Sequence, residues 1–297
     1  MPRILSLATA LACMTDRSGH KLLPRMTQDG RPAVDDSIVS NASYSDVAAL
    51  LAGSPSEVVT SWHSADDAVC FLDSKPVFFN NARRAWSISE VAADVFRVEV
   101  RANDPGTPKD LYNGNRRSEI VTMHDDGWSS GETLWMSWAT VLGPHAGLLL
   151  TDITSRFGYV MQIHSGVSGW PPILTLNYAQ GLLRVFTQSD EDFGVFKVRY
   201  TAPIPTQGQI KKYVMAITLG QSGRVKFWAD GVLVLDVSCP VGFWSTGGIL
   251  GHPQWGLYTK NWNTADVVYH ANIEWGSSSL EARVASPKPI PDLTPWG

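Results

Sequence analysis

The sequence predicts an all-β protein made of two packed antiparallel sheets, and three observations predict it. From Val95 onward, short runs rich in β-branched and aromatic residues follow one another, separated by clusters of Gly, Pro, Asp and Ser. No long amphipathic helical pattern intervenes, which argues against crossover α/β architectures. The number and close spacing of the runs suit a β-sandwich of jelly-roll type.

Taken in order, residues 1–90 carry turn clusters and short apolar runs, with one helical pattern over Asp46 to Leu51 that Ser45 could cap. They read as an irregular N-terminal extension or attachment region. The predicted strands are Val95–Arg101, Glu119–Met123, Thr133–Val141, Tyr159–His164, Ile173–Tyr178, Leu182–Thr187, Phe196–Thr201, Lys212–Leu219, Val225–Ala229, Val232–Val237, Gln254–Tyr258 and Val267–Trp275. Asp230-Gly231 supplies the positive-φ pair of a tight hairpin turn. Together these define a jelly-roll, concanavalin-like domain over residues 91–280. Residues 281–297 follow as a Pro-rich tail, in which Pro287, Pro289 and Pro291 favour extended backbone that lies along the surface or hangs loose.

Composition narrows the function classes. A net charge of −4 argues against a nucleic-acid partner, which usually meets a basic surplus, but a local basic strip would still serve a polyanionic polymer. Arg83-Arg84, Arg116-Arg117 and Lys211-Lys212 could supply such a strip. Alternation lets only one member of each strand doublet face a groove, and the first and last read as solvated surface. Twelve tryptophans exceed what a motif needs, so most are expected in the core and a few against sugar faces. Cys13, Cys70 and Cys239 form neither a disulfide framework nor a metal-ligand spacing. Met1-Pro2-Arg3 and the apolar stretch to Ala12 make a weak signal-like start, and no run reaches membrane-spanning length.

The segment Gln162-Ile163-His164 carries the most chemistry. Period-two alternation places Gln162 and His164 on one face, and a polar amide beside an imidazole is costly to bury unless that face lines a groove. Arg117-Ser118-Glu119 opens an earlier polar strand, and Gly256-Leu257-Tyr258-Thr259-Lys260 belongs to a later one. Arginine, glutamine, histidine and tyrosine are what β-elimination on a uronic acid requires. Donors must neutralise the carboxylate so that the C5 proton becomes acidic, a base must take that proton, and an acid must protonate the leaving oxygen. Arg117 and Gln162 are the candidate donors. His164 is the candidate base, and Tyr258 is the acid or both acid and base. Glu119 is expected to orient Arg117. Lys260, His252, Trp170, Trp255 and Trp262 are candidates for substrate contact. The bland reading of each residue is a satisfied strand histidine, a core tyrosine, a surface ion pair or core tryptophans.

These motifs, with Phe96 to Asp104 before them and the Pro171-Pro172 step between, resemble in their order the jelly-roll polysaccharide lyases, in particular the heparin lyase I and glucuronan lyase group. Alginate lyases of the same fold carry a similar Arg-x-Glu, Gln-Ile-His and Gly-x-Tyr series. The resemblance covers roughly Val95 to Trp275 and implies a lyase acting on an acidic polysaccharide. The signal-like start points to secretion, and an N-terminus that is retained points instead to carriage on a virion. Two departures shift the expectation away from alginate itself. Ile120-Val121 follows Glu119 without the second arginine, and Pro253-Gln254-Trp255 replaces a Tyr-x-Lys lead-in.

The reaction requires no cofactor. A Ca²⁺ ion holding a loop is compatible with the sequence, but Asp66-Asp67 and Asp125-Asp126 are too short to define a site. The main alternative is a non-catalytic carbohydrate-binding or attachment module on the same sandwich, for example in a phage tail, attached through the N-terminal region. A glycoside hydrolase is the third reading, weakened because no strand carries the paired carboxylates it needs.

Overall fold

The computed structural model describes residues 25–26, 32–33, 70–72, 75–82, 84, 86–101, 104, 110, 113–122, 128–143, 157–165, 170–246, 251–260 and 265–290. The predicted helix at Ser45 to Leu51, Trp262 and both Asp pairs lie outside them. No described helix is long and apolar enough to cross a membrane.

The strands are β1 (Arg25–Met26), β2 (Pro32–Ala33), β3 (Cys70–Leu72), β4 (Lys75–Asn81), β5 (Ile88–Ala92), β6 (Val95–Val100), β7 (Asn115–Thr122), β8 (Thr133–Leu142) and β9 (Gly158–His164). They continue as β10 (Leu174–Ala179), β11 (Leu182–Thr187), β12 (Lys197–Pro203), β13 (Ile210–Thr218), β14 (Arg224–Ala229), β15 (Val232–Ser238), β16 (His252–Lys260) and β17 (Asp266–Gly276). β1 and β2 pair alone. The others form an eight-stranded sheet in the order β12-β11-β10-β9-β16-β7-β4-β3 and a seven-stranded sheet in the order β15-β14-β13-β8-β17-β6-β5. Each predicted strand corresponds to one of these. The hairpin turn also matches, with φ of 50° at Asp230 and 81° at Gly231.

The domain boundary drawn at residue 90 is corrected. β3, β4 and β5 precede or straddle it and belong to the two sheets, with Val77 and Phe79 buried in the common core. Pro76, Asn80 and Asn81 dilute the strand pattern of Lys75 to Asn81, and the proline is tolerated because it stands near the start of the strand, before the pairing with β7 begins at Val77. The tail is not loose over its described part. A single helical turn at Ala282–Ala285 and the chain to Ile290 lie on the outer face of the seven-stranded sheet. Arg283 grips the Glu274 carboxylate with two bonds of 2.8 and 2.9 Å, and Asn272 donates to the Pro289 carbonyl.

The core fills the space between the sheets, as alternation dictates for a sandwich. Trp255 from the eight-stranded sheet meets Trp138 and Trp275 from the other, with ring centroids 6.4 and 5.7 Å apart. Two polar groupings inside position charged or titratable side chains. Arg116 bonds Asp266 at 2.7 Å, so the Arg116-Arg117 doublet splits between the two faces of β7. His270 is fully buried on β17. Its Nε2 donates to the Gly256 carbonyl at 3.3 Å, while Nδ1 accepts from Thr140, which in turn accepts from the Trp138 indole. That arrangement suits a neutral imidazole, and burial pushes its pKa down to about 4.

Candidate functional site

The site lies on the outer face of the eight-stranded sheet, across β7, β16 and β9. Register puts Tyr258 opposite Arg117, Gly256 opposite Glu119, Gln254 opposite Gln162, and His252 opposite His164. Opposed residues of antiparallel strands share a face. Ile163, Trp255 and Leu257, one step out of phase, point into the core. Gly256 is required where it stands. A Cβ there would lie 2.2 Å from the Ser118 carbonyl oxygen on β7, so any side chain would push the two strands apart.

Arg117 is held on three sides. Its Nε and Nη2 donate to the two oxygens of Asp110 at 2.9 and 3.2 Å, and Nη1 donates to Glu119 at 2.9 Å. Its guanidinium carbon lies 3.8 Å from the centre of the Tyr258 ring, a cation–π stack. Burial alone would lower the Arg117 pKa, but the two carboxylates override it and the net direction is upward. Burial pushes the Glu119 carboxyl up, opposed by Arg117 and by a hydrogen bond from Gln162.

From Glu119 a polar chain of one direction crosses to β16. The Gln162 Nε2 donates to Glu119 at 2.5 Å and to the Gln254 Oε1 at 3.2 Å. Gln254 Nε2 lies 2.8 Å from His252 Nε2. With Glu119 ionised, the form its ion pair with Arg117 favours, the amide nitrogen of Gln162 faces it. Gln254 is then fixed as donor to His252, whose Nε2 accepts and whose proton sits on Nδ1. His252 is buried, and its ring lies 5.5 Å from that of the half-buried His164.

Tyr258 is surrounded by aromatic rings on its other side. Phe157 and Tyr159 lie 5.2 and 5.9 Å away by centroid. Burial raises the phenol, Arg117 opposes it, and Asp110 and Glu119 reinforce it, leaving the pKa at about 12. Asn115, the first residue of β7, donates to the Tyr258 oxygen at 2.5 Å. Lys260 is exposed at the end of β16 and forms no ion pair among the described residues.

The structure therefore brings Arg117, Glu119, Gln162, His252, His164 and Tyr258 onto one face, and corrects three expectations. Trp255 cannot contact substrate, because its phase on β16 buries it completely in the core. Trp170 stands apart from the polar chain, its ring packed edge-on against Phe193 and Phe243. Gln162 offers no free amide donor, since both its N–H bonds are directed at Glu119 and Gln254. Sequence reasoning missed Asp110, Asn115, Gln254 and Tyr159. Tyr159 was out of phase by strict alternation. A bulge against β10 lets both Val160 and Met161 point into the core, which turns Tyr159 to the outer face. Among the described residues no group of three His, Cys, Asp or Glu side chains is placed to hold a metal ion.

Comparison with models of protein families found no match, and neither did a search of curated protein sequences. Solved structures do match. Alginate lyase A1-II', a member of polysaccharide lyase family 7, superposes with a TM-score of 0.50 at 15% identity, over 66% of this chain and 86% of that one. An endo-β-1,4-glucuronan lyase from the fungus Trichoderma reesei gives 0.47 at 16% identity, over 74% and 93%. The likeness is one of fold: the chain adopts the jelly roll of the polysaccharide lyases.

Proposed function

We propose that this protein is a polysaccharide lyase that cleaves a uronic-acid-containing acidic polysaccharide by β-elimination on the outer face of the eight-stranded sheet. The observation that carries the reading is the stack of Arg117 on Tyr258 on a face shared with His164, within a fold that lyases of acidic polysaccharides also use. In this reaction a base removes the C5 proton, the bond from C4 to the glycosidic oxygen breaks, a C4–C5 double bond forms, and an acid protonates the departing oxygen.

His164, half-buried at the edge of the polar chain, is suited to the base, and Tyr258 to the acid. Three of the five N–H bonds of Arg117 serve Asp110 and Glu119. One on each terminal nitrogen is left for a substrate carboxylate. Glu119 and Asp110 hold the guanidinium in place, and Lys260 suits a further acidic group along the polymer. The reaction as written needs no cofactor. Such a substrate places the protein outside the cell, secreted or carried on a virion.

One observation favours a second reading, a carbohydrate-binding or attachment module. The donors of Gln162 and most of those of Arg117 are turned into the protein rather than toward a ligand. Incubation with glucuronan, alginate and heparin-like chains separates the two. Growth of ultraviolet absorbance from the unsaturated sugar supports the lyase. Binding without any such absorbance on any of the polymers assigns the module instead.

A further inference from the structure

Asn115 takes no part in the chain that runs from Arg117 to His252. It stands opposite Lys260 and two residues before Arg117, hence on the same face of β7. Its side chain is 8% exposed, and its amide nitrogen is aimed at the phenolic oxygen of Tyr258 at 2.5 Å. A residue this well covered could have packed as an apolar side chain; instead it brings an N–H to the one oxygen on this face that must exchange a proton.

We infer that Asn115 is a positioning residue for proton transfer at Tyr258, its N–H fixing the phenolic oxygen and favouring the phenolate over the phenol. The purpose rests on the lyase reading above; the hydrogen bond does not. A donor bonds an oxyanion more strongly than a neutral hydroxyl, so its presence lowers the cost of releasing the proton.

The charged and titratable groups that face Tyr258 are few. From β7 come the Arg117 guanidinium, stacked on the ring, and the Glu119 carboxylate. Asp110, from the segment before β7, lies within hydrogen-bonding reach of the hydroxyl. Tyr159 of β9 stands against the ring, and Lys260 shares the face on Tyr258's own strand. The two carboxylates oppose the phenolate. Arg117 already carries both of them, and a second cation at position 115 would be drawn to Asp110. A neutral amide assists the oxyanion without adding to that competition.

The test compares wild type with Asn115→Asp and Asn115→Ala. Aspartate keeps the shape of asparagine but, ionised, only accepts. The inference expects kcat to fall about tenfold, the equivalent of one pKa unit, in Asn115→Ala and further in Asn115→Asp, with KM little changed. The pH dependence of kcat shifts upward in both. The deciding variant is Asn115→Ala, which removes the donor without adding a charge: a merely structural Asn115 would leave its pH profile where wild type has it, which overturns the inference.

A second readout needs no activity. In protein labelled with ¹³C at the tyrosine ζ carbon, with the Tyr258 resonance assigned through Tyr258→Phe, titration begins at lowest pH in wild type, later in Asn115→Ala and latest in Asn115→Asp. Equal titration in wild type and Asn115→Ala overturns the inference. If no uronate polymer is cleaved, the lyase reading fails alone and this titration still decides what Asn115 does to the phenol. Should neither Asn115 variant fold, the side-chain amide protons of Asn115 must shift between wild type and Tyr258→Phe, and unchanged amide resonances overturn the inference.

Discussion

The guanidinium of Arg117 lies between the ring of Tyr258 and the carboxylates of Asp110 and Glu119, so one cation serves both an aromatic phenol and two buried acids. Its position explains why this face can hold so much polarity. Asp110 and Glu119 are only 2% and 1% exposed, and a buried carboxylate without a partner is costly.

Removing that cation is therefore expected to cost stability before it costs anything else. Arg117→Ala leaves two carboxylates uncompensated and should destabilise the fold by about 3–5 kcal/mol in urea unfolding. Arg117→Lys should recover only part, because an ammonium cannot reproduce the fork that binds both oxygens of Asp110. An Arg117→Ala protein as stable as wild type contradicts this account.

Gly256→Ala tests the close approach of β16 to β7. The added Cβ meets backbone, at 2.2 Å from the Ser118 oxygen, and backbone cannot swing aside as a side chain does. The expected cost is at least the ~1–3 kcal/mol of ordinary overpacking. Amide exchange should quicken along β7 and β16 before it does elsewhere in the sheets, and uniform exchange rates would count against the strand-separation argument.

His270 sets a pH dependence of stability. Its folded pKa of about 4 lies below the ordinary value of 6.5, so the unfolded chain binds the proton more readily. Its contribution is complete above about pH 6.5 and is lost as pH falls toward 4. The displacement corresponds to about 3 kcal/mol. Unfolding free energies of wild type and His270→Gln, measured from pH 7 to 5, should converge as the pH falls, because only wild type loses this term. A constant gap removes the buried imidazole from the explanation.

Trp255→Ala should cost about 3–5 kcal/mol through the cavity it leaves among Trp138, Trp275 and their neighbours. At temperatures where the variant remains folded, polymer binding should be unchanged, since the ring never reaches the outer face. Weakened binding by a folded Trp255→Ala protein would place the ring in the wrong sheet face.

On a polymer that the protein cleaves, His164→Ala and Tyr258→Phe should each lower kcat by about 10²- to 10⁴-fold while binding persists, because both groups act on protons in the transition state. Carboxyl-reduced polymer should be inert, as its C5 proton is no longer acidified. Wild-type turnover in both variants would move the chemistry elsewhere.

The sequence by itself determined the strands from Val95 onward, the Asp230-Gly231 turn, and the shared face of Gln162 and His164. All three depend on rules that act within a few residues: alternation, β-propensity and positive φ. It also determined that Arg116 and Arg117 part company, which the buried Arg116–Asp266 pair and the outward Arg117 bear out.

What only the tertiary structure decided is which distant groups these side chains meet. Gln162 spends its donors on Glu119 and Gln254, 43 and 92 residues away along the chain, and Tyr258 meets Asn115 across 143. No local pattern encodes such pairings. They arise from strand order and register, set by packing between sheets. The bulge at Val160-Met161 shows the same limit within one strand. Two adjacent apolar side chains both gain by entering the core, and that gain overrides alternation and brings Tyr159 to the face where Tyr258 stands.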